Sequence, residues 1–208
     1  MPTETQSVTV FLFTYLTPDI DLGSCELRSV EVVTYDVSDQ GQLTKVNTYK
    51  SAPGAGPRHI TFHPTQKIAY LMNELNSTVE VLIYDGVGQF TLLQTISTLP
   101  EDWTDFNGTA AIRVSTDGKF LYGSNRGHDS IAVFKILADG TLELSQLAAT
   151  HGKMPRDFNL SSDEKIVIAA HQDSDNVTTF FRDATTGLLS EIQHDFIVPE
   201  AVCVYVKA

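Results

Sequence analysis

The sequence predicts an all-β fold, a β-propeller built of four-stranded antiparallel blades, and three observations carry that reading. No stretch of the 208 residues shows a helical apolar period. An eighteen-residue segment recurs three times without a gap, at 62–79, 114–131 and 160–177, placing Lys67, Lys119 and Lys165 in one column and Val79, Ile131 and Val177 in another. Behind it a Gly-led strand start recurs at Gly41, Gly88, Gly140 and Gly187, in steps of 47, 52 and 47 residues. Four short strands per repeat of about 40 to 50 residues, joined by turn residues, are the signature of a propeller blade.

Taken in order, residues 1–26 fit the repeat poorly and read as an irregular N-terminal remnant, leaving 27–208 as a partial propeller. Residues 27–50, with Val32 to Tyr35 and Gly41-Gln-Leu43, give the outer half of one blade. Residues 56–97, 109–149 and 155–195 give three full blades, and 199–206 look like one more inner strand. The hairpin over Phe120–Phe134 is the clearest element. Leu121, Tyr122, Ile131 and Val133 sit in alternating strands, and Asn125-Arg-Gly-His-Asp-Ser130 forms a turn dense in hydrogen-bonding groups. The total is about three and a half to four blades, which reads as the second half of a propeller. An open arc leaves apolar blade faces exposed, so two copies could close one ring as a homodimer.

The formal net charge is -12, which argues against nucleic acid and anionic membrane as partners. It leaves room for an anionic small molecule held by clustered arginines. Cys25 and Cys203 match no metal spacing and suit a reducing cytoplasm. The apolar run Val8–Leu16 is too short to span a membrane and lacks the basic flank of a signal peptide. The Asn-x-Ser/Thr triplets at Asn76, Asn107, Asn159 and Asn176 read as turn chemistry. No phosphate loop, metal cluster or nucleophile elbow is present, so no cofactor and no metal are expected.

The repeat register itself points to a site. Glu74, Arg126 and Gln172 occupy one column; Arg58, Ala110 and Arg156 occupy another, just ahead of the inner strand. Equivalent positions of successive blades face one axis, so these side chains are expected to converge. Arginines beside one carboxylate suit a phosphorylated or carboxylated substrate. Glu74 could act as general base on water while an arginine stabilises an oxyanion. The bland alternative is that Arg58 and Glu74 form a buried ion pair that fixes a blade interface. His59 and His128, in the motif turns, are candidate substrate contacts, as are Asn73, Asn125 and Arg156. His171 stands in the column of Asn73 and Asn125 as a hydrogen-bonding substitute. His63 reads as structural, and His151 and His194 carry no signal. Asp129 and Asp157 could orient His128 and Arg156 or cap turns, with Asp129 retained among the substrate-binding candidates. Trp103, in an inter-blade loop, could cover a cleft or merely pack.

Three motifs carry a family resemblance: Gly54-Ala-Gly-Pro-Arg-His-Ile-Thr-Phe-His-Pro64 with Asn73-Glu-Leu-Asn-Ser-Thr78, Ser124-Asn-Arg-Gly-His-Asp-Ser-Ile131, and Met154-Pro-Arg-Asp-Phe158. Together, over about residues 27–206, they resemble the lactonase-type seven-bladed propellers, the family of the bacterial propeller 6-phosphogluconolactonases and the fungal carboxymuconate cycloisomerases. The resemblance implies a hydrolase of the pentose phosphate pathway that opens an anionic sugar-phosphate lactone without a metal. It implies catalytic roles for Arg58, Glu74 and Arg126, which match the family's two arginines and its glutamate. The family histidine belongs to a preceding blade, and residues 1–26 contain no His. The reading opposed to an enzyme is a non-catalytic half-propeller, a fragment or an interaction scaffold.

Overall fold

The computed structural model describes residues 22–26 and 30–207, and among them there is no helix. The strands are β1 (Leu22–Glu26), β2 (Glu31–Val37), β3 (Leu43–Lys50), β4 (Pro57–Phe62), β5 (Ile68–Asn73), β6 (Thr78–Tyr84), β7 (Phe90–Ser97), β8 (Gly108–Val114), β9 (Phe120–Arg126), β10 (Ser130–Ile136), β11 (Leu142–Ala149), β12 (Pro155–Leu160), β13 (Ile166–His171), β14 (Asn176–Arg182) and β15 (Leu189–Ile197). They form four sheets, ordered β1-β2-β3, β4-β5-β6-β7, β11-β10-β9-β8 and β12-β13-β14-β15. Each is an up-and-down meander with antiparallel pairing between sequence neighbours, so each is one blade of an incomplete propeller. The expected blade spans of 56–97, 109–149 and 155–195 agree with these sheets to within a few residues.

The chain divides into two compact units, 1–95 and 96–208. In the first, Val32, Ile60, Phe62, Ala69, Leu71, Leu82 and Tyr84 make the core, with Tyr49 and Phe90 packed against it. Strand β5 is buried at every position, so its sequence IAYLMN reads as a continuous apolar run rather than an alternation. In the second unit, Phe120, Tyr122, Ile131, Val133, Phe158, Val167 and Phe180 belong to one core shared by both of its sheets. Arg182 is buried there, with its guanidinium over the Phe120 and Tyr122 rings. It donates from Nε to the Tyr122 hydroxyl at 2.7 Å, and that hydroxyl donates to Gly187 O at 2.9 Å. Burial pushes the Tyr122 phenol up to about 12.

The repeat columns have physical reasons. In the turn after β8, Ser115 donates to Asp117, and Asp117 accepts from Lys119 N. After β12, Ser161 and Asp163 do the same, and the bonds from Ser161 and Lys165 hold the Asp163 carboxyl down at about 2. In the corresponding turn after β4, His63 Nδ1 accepts from Thr65 N and Gln66 N, the structural role expected of it. At Gly88 and Gly187 the Gly-led column marks close approaches between blades. Gly88 has φ 95°, and its carbonyl accepts from Thr34 Oγ1 at 3.0 Å. A Cβ on Gly88 would lie 2.7 Å from Thr34 Cγ2.

Three expectations need adjustment. The remnant expected over 1–26 lies outside the described residues except for 22–26, which form β1 and pair with β2 from Leu22↔Tyr35 to Glu26↔Glu31. Among the described residues the first blade therefore shows three strands rather than an outer pair. Residues 199–206 do not form a strand. Among the bonds that place them, Val204 N donates to Asp157 Oδ2 and Val204 O accepts from Asn159 Nδ2, so side chains of β12 hold the segment in place of a ladder. The turn expected over Asn125–Ser130 is shorter, because Asn125 and Ser130 pair within the ladder and only Gly127, His128 and Asp129 form the turn.

Candidate functional site

In the first unit the site begins with the backbone at the entry to β4. Glu74 N donates to Gly56 O at 2.7 Å and Leu75 N to Ala55 O at 3.0 Å. Gly56 has φ 70°, and a Cβ there would lie 2.5 Å from Leu75 Cγ, so glycine is favoured. Pairing of β4 with β5 slips between Pro57 and His59. The residue at the bulge is Arg58, and bulges commonly re-aim a side chain beside a site. Arg58 Nε meets Glu74 Oε2 at 2.9 Å, with side-chain exposures of 10% and 23%. Arg58 Nη1 also lies 2.9 Å from His59 Nδ1, and since a guanidinium can only donate, the imidazole accepts. Arg58, Glu74 and His59 thus form one contiguous group. Asn73, fully buried beside it, donates to Thr78 Oγ1 at 3.1 Å across the hairpin turn.

The last blade repeats this frame. Gln172 N donates to Met154 O at 3.1 Å and Asp173 N to Lys153 O at 3.3 Å. Met154, at the position of Gly56, keeps a positive φ of 60°. The β12–β13 pairing slips between Pro155 and Asp157, which puts Arg156 on the bulge. Its Nη1 donates to Gln172 Oε1 at 3.1 Å. The sequence placed Gln172 in the Glu74 column, among the side chains expected to converge, without giving it a role; the structure bonds it to Arg156. His171, buried at the Asn73 position, donates from Nδ1 to Asn176 O at 3.0 Å, so it substitutes for the asparagine as expected. Asp157 does not orient Arg156. Its Oδ1 meets Arg113 at 3.0 Å and its Oδ2 accepts from Val204 N.

The blade between differs. Ala110 takes the arginine position, and the carbonyls of Gly108 and Thr109 accept from Arg126 Nε and Nη2, each at 3.1 Å. Arg126 is 9% exposed. The adjoining turn holds His128, whose Nδ1 lies 2.7 Å from Ser130 Oγ and whose ring packs edge-on against Trp103 at 4.7 Å between centroids. Burial holds the His128 imidazole below its ordinary value, against the opposing pull of Asp129. Trp103 therefore packs on a candidate residue. Asp129 caps: its Oδ1 accepts from Gly127 N at 3.1 Å and from Met154 N at 2.9 Å. Asn125 is fully buried, and its amide bonds Thr98 O, Thr98 Oγ1, Asn107 and Ser130. That network makes Asn125 a strut, closed to a ligand. Among the described residues no group of three or more His, Cys, Asp or Glu side chains is arranged to hold a metal.

Comparison with known proteins agrees with this geometry. The profile of the family described as "Lactonase, 7-bladed beta-propeller" matches residues 4–206. The 6-phosphogluconolactonase of Bacillus subtilis is 42% identical over 187 residues, covering 89% of this chain and 52% of that protein. A crystal structure of a Lactobacillus plantarum protein superposes with a TM-score of 0.90 at 47% identity, over 92% of this chain and 56% of that one. The periplasmic gluconolactonase PpgL of Pseudomonas aeruginosa gives a TM-score of 0.81 at 29% identity, over 86% of this chain and 51% of that one. The chain spans about half the length of the relatives it matches.

Proposed function

The chain belongs to the seven-bladed β-propeller lactonase family, and from that premise we propose that it hydrolyses a sugar lactone, with 6-phosphoglucono-δ-lactone the first substrate to test. The single observation that carries the reading is the Arg58–Glu74 pair at 2.9 Å, bulge-mounted and partly open to solvent, at the position the family motif assigns to chemistry. Glu74 removes a proton from a water as the water oxygen bonds the lactone carbonyl carbon. Arg58 stabilises the resulting oxyanion. The ring C–O bond then breaks, and the proton held by Glu74 passes to the departing ring oxygen. The product is an open-chain hydroxy acid, and no cofactor enters. The 42% identity to a protein named 6-phosphogluconolactonase supports the substrate class. In this reading the chain works in cytoplasmic glucose metabolism.

The test is the hydrolysis rate of fresh 6-phosphoglucono-δ-lactone by the purified chain, set against the spontaneous rate and against Glu74→Gln. Acceleration that disappears in the variant is the expected result. A folded sample that gives no acceleration favours the second reading, a non-catalytic half-propeller, which the half-length match to the relatives supports. Closure by a second copy belongs to the first reading, and light scattering that returns a monomer under assay conditions removes it.

A further inference from the structure

We infer that Arg156 and Gln172 form an anion-binding subsite in the second unit, suited to the phosphate of a phosphorylated small molecule. The observation is a donor set with no acceptor left in it. Arg156 spends Nη1 on Gln172 Oε1 at 3.1 Å. Because arginine only donates, the amide must present its oxygen there, which leaves the Gln172 Nε2 hydrogens pointing elsewhere. Among the described residues, Arg156 Nε and Nη2 and Gln172 Nε2 bond no protein acceptor. Both side chains are half-buried, neither fully open to water nor sealed from a ligand.

Among the described residues no carboxylate pairs with the guanidinium. Asp157, its chain neighbour, is committed to Arg113 and Val204 N. Asp129 is committed to Gly127 N and Met154 N. Asp173, the other acidic neighbour, is exposed and follows Gln172 into the turn, where its N–H bonds Lys153 O. The group is also held before any ligand arrives. Met154 is pinned by Asp129, Lys153 N donates to Ser174 Oγ, and Gln172 N closes on Met154 O. On a chain of net charge -12, an anion is repelled in general. A fixed fork of guanidinium and amide donors is the kind of local feature that overcomes this, and it matches the three oxygens of a phosphate.

That the phosphate belongs to the lactone substrate rests on the lactonase reading; the anion site itself does not. The experiment titrates the full chain with inorganic phosphate, 6-phosphogluconate and gluconate, read by calorimetry and by the arginine Nε–H resonances in NMR. Phosphate and 6-phosphogluconate are expected to bind and to shift the Arg156 resonance, with gluconate at least tenfold weaker. Gln172→Glu, which rebuilds the neutral pair of the first unit, is expected to weaken phosphate binding at least tenfold, as is Arg156→Met. Phosphate bound equally well by the wild type and Gln172→Glu, no binding at all, or gluconate bound as tightly as 6-phosphogluconate each overturns the proposal. Hydrolysis assays on the same samples separate the two readings. Phosphate binding without hydrolysis sinks the lactonase reading alone. Hydrolysis indifferent to the lactone's phosphate, without phosphate binding, sinks the subsite alone.

Discussion

The blade of β4–β7 and the blade of β12–β15 mount the same pair of positions on the same backbone and give them different charge. In both, a bulge carries an arginine, and the residue sixteen places on closes its N–H onto the carbonyl two residues before that arginine. In the first the partner is Glu74 and the pair is neutral; in the second it is Gln172 and a positive charge remains. The change amounts to a carboxylate oxygen against an amide nitrogen. The first pair presents an acceptor that can take a proton, and the second presents only donors. One supersecondary frame, copied along the chain, thus presents two different sets of donors and acceptors.

The largest expected effect breaks the comparison at its acceptor. Glu74→Gln makes the first pair a copy of the second, and loss of a general base lowers the hydrolysis rate by about 10²- to 10⁴-fold. A steady-state assay on the phosphorylated lactone reads this directly. Thermal unfolding gives the next contrast. Arg58→Met strips the ion-pair partner from a partly buried carboxylate, which costs about 1–3 kcal/mol. Arg156→Met leaves only a neutral amide that half-faces water, and the cost is about 0.5 kcal/mol or less. Equal losses in the two variants would mean that the pairs are mere struts of the blades.

Much of this was legible in the sequence because the repeat is a spatial code. Aligning 62–79 with 160–177 put Glu74 with Gln172, the same offset carried just upstream put Arg58 with Arg156, and the ladder Pro57↔Asn73 and Pro155↔His171 is why an i, i+16 spacing becomes a contact. The family motifs added the roles. What stayed hidden depends on where side-chain atoms end up. Nothing in the letters says that Asp157 turns to Arg113, that Asn125 is fully consumed by Thr98, Asn107 and Ser130, or that Arg126 bonds the carbonyls of Gly108 and Thr109. Residues 199–206 misled because apolar alternation marks an extended segment and is silent on whether a neighbouring strand will pair with it.

The smallest expected effect comes from the second difference between the two blades, Asn73 against His171. Both are buried and both brace a hairpin turn, but only the histidine titrates. Burial depresses its imidazole, while Asn176 O and Asp129 pull the other way and His151 adds to the depression. A base whose folded value is depressed binds fewer protons folded than unfolded, so the blade of β12–β15 loses stability as pH falls below about 6.5, the ordinary histidine value. His194 contributes with the opposite sign. Its hydrogen bond to Glu191 raises it, and that contribution is lost as pH rises through the raised value. Amide hydrogen exchange at pH 7 and pH 5 separates the two. Protection across β13 and β14 is expected to fall at pH 5, while β5 and β6 keep theirs. His171→Asn installs the amide of the first blade, and it is expected to remove the acid sensitivity of β13 and β14 and leave the exchange of β5 and β6 unaltered. Acid sensitivity that persists in His171→Asn would show that His171 is not its source, since His194 acts with the opposite sign, and the two blades would then differ in their charge alone.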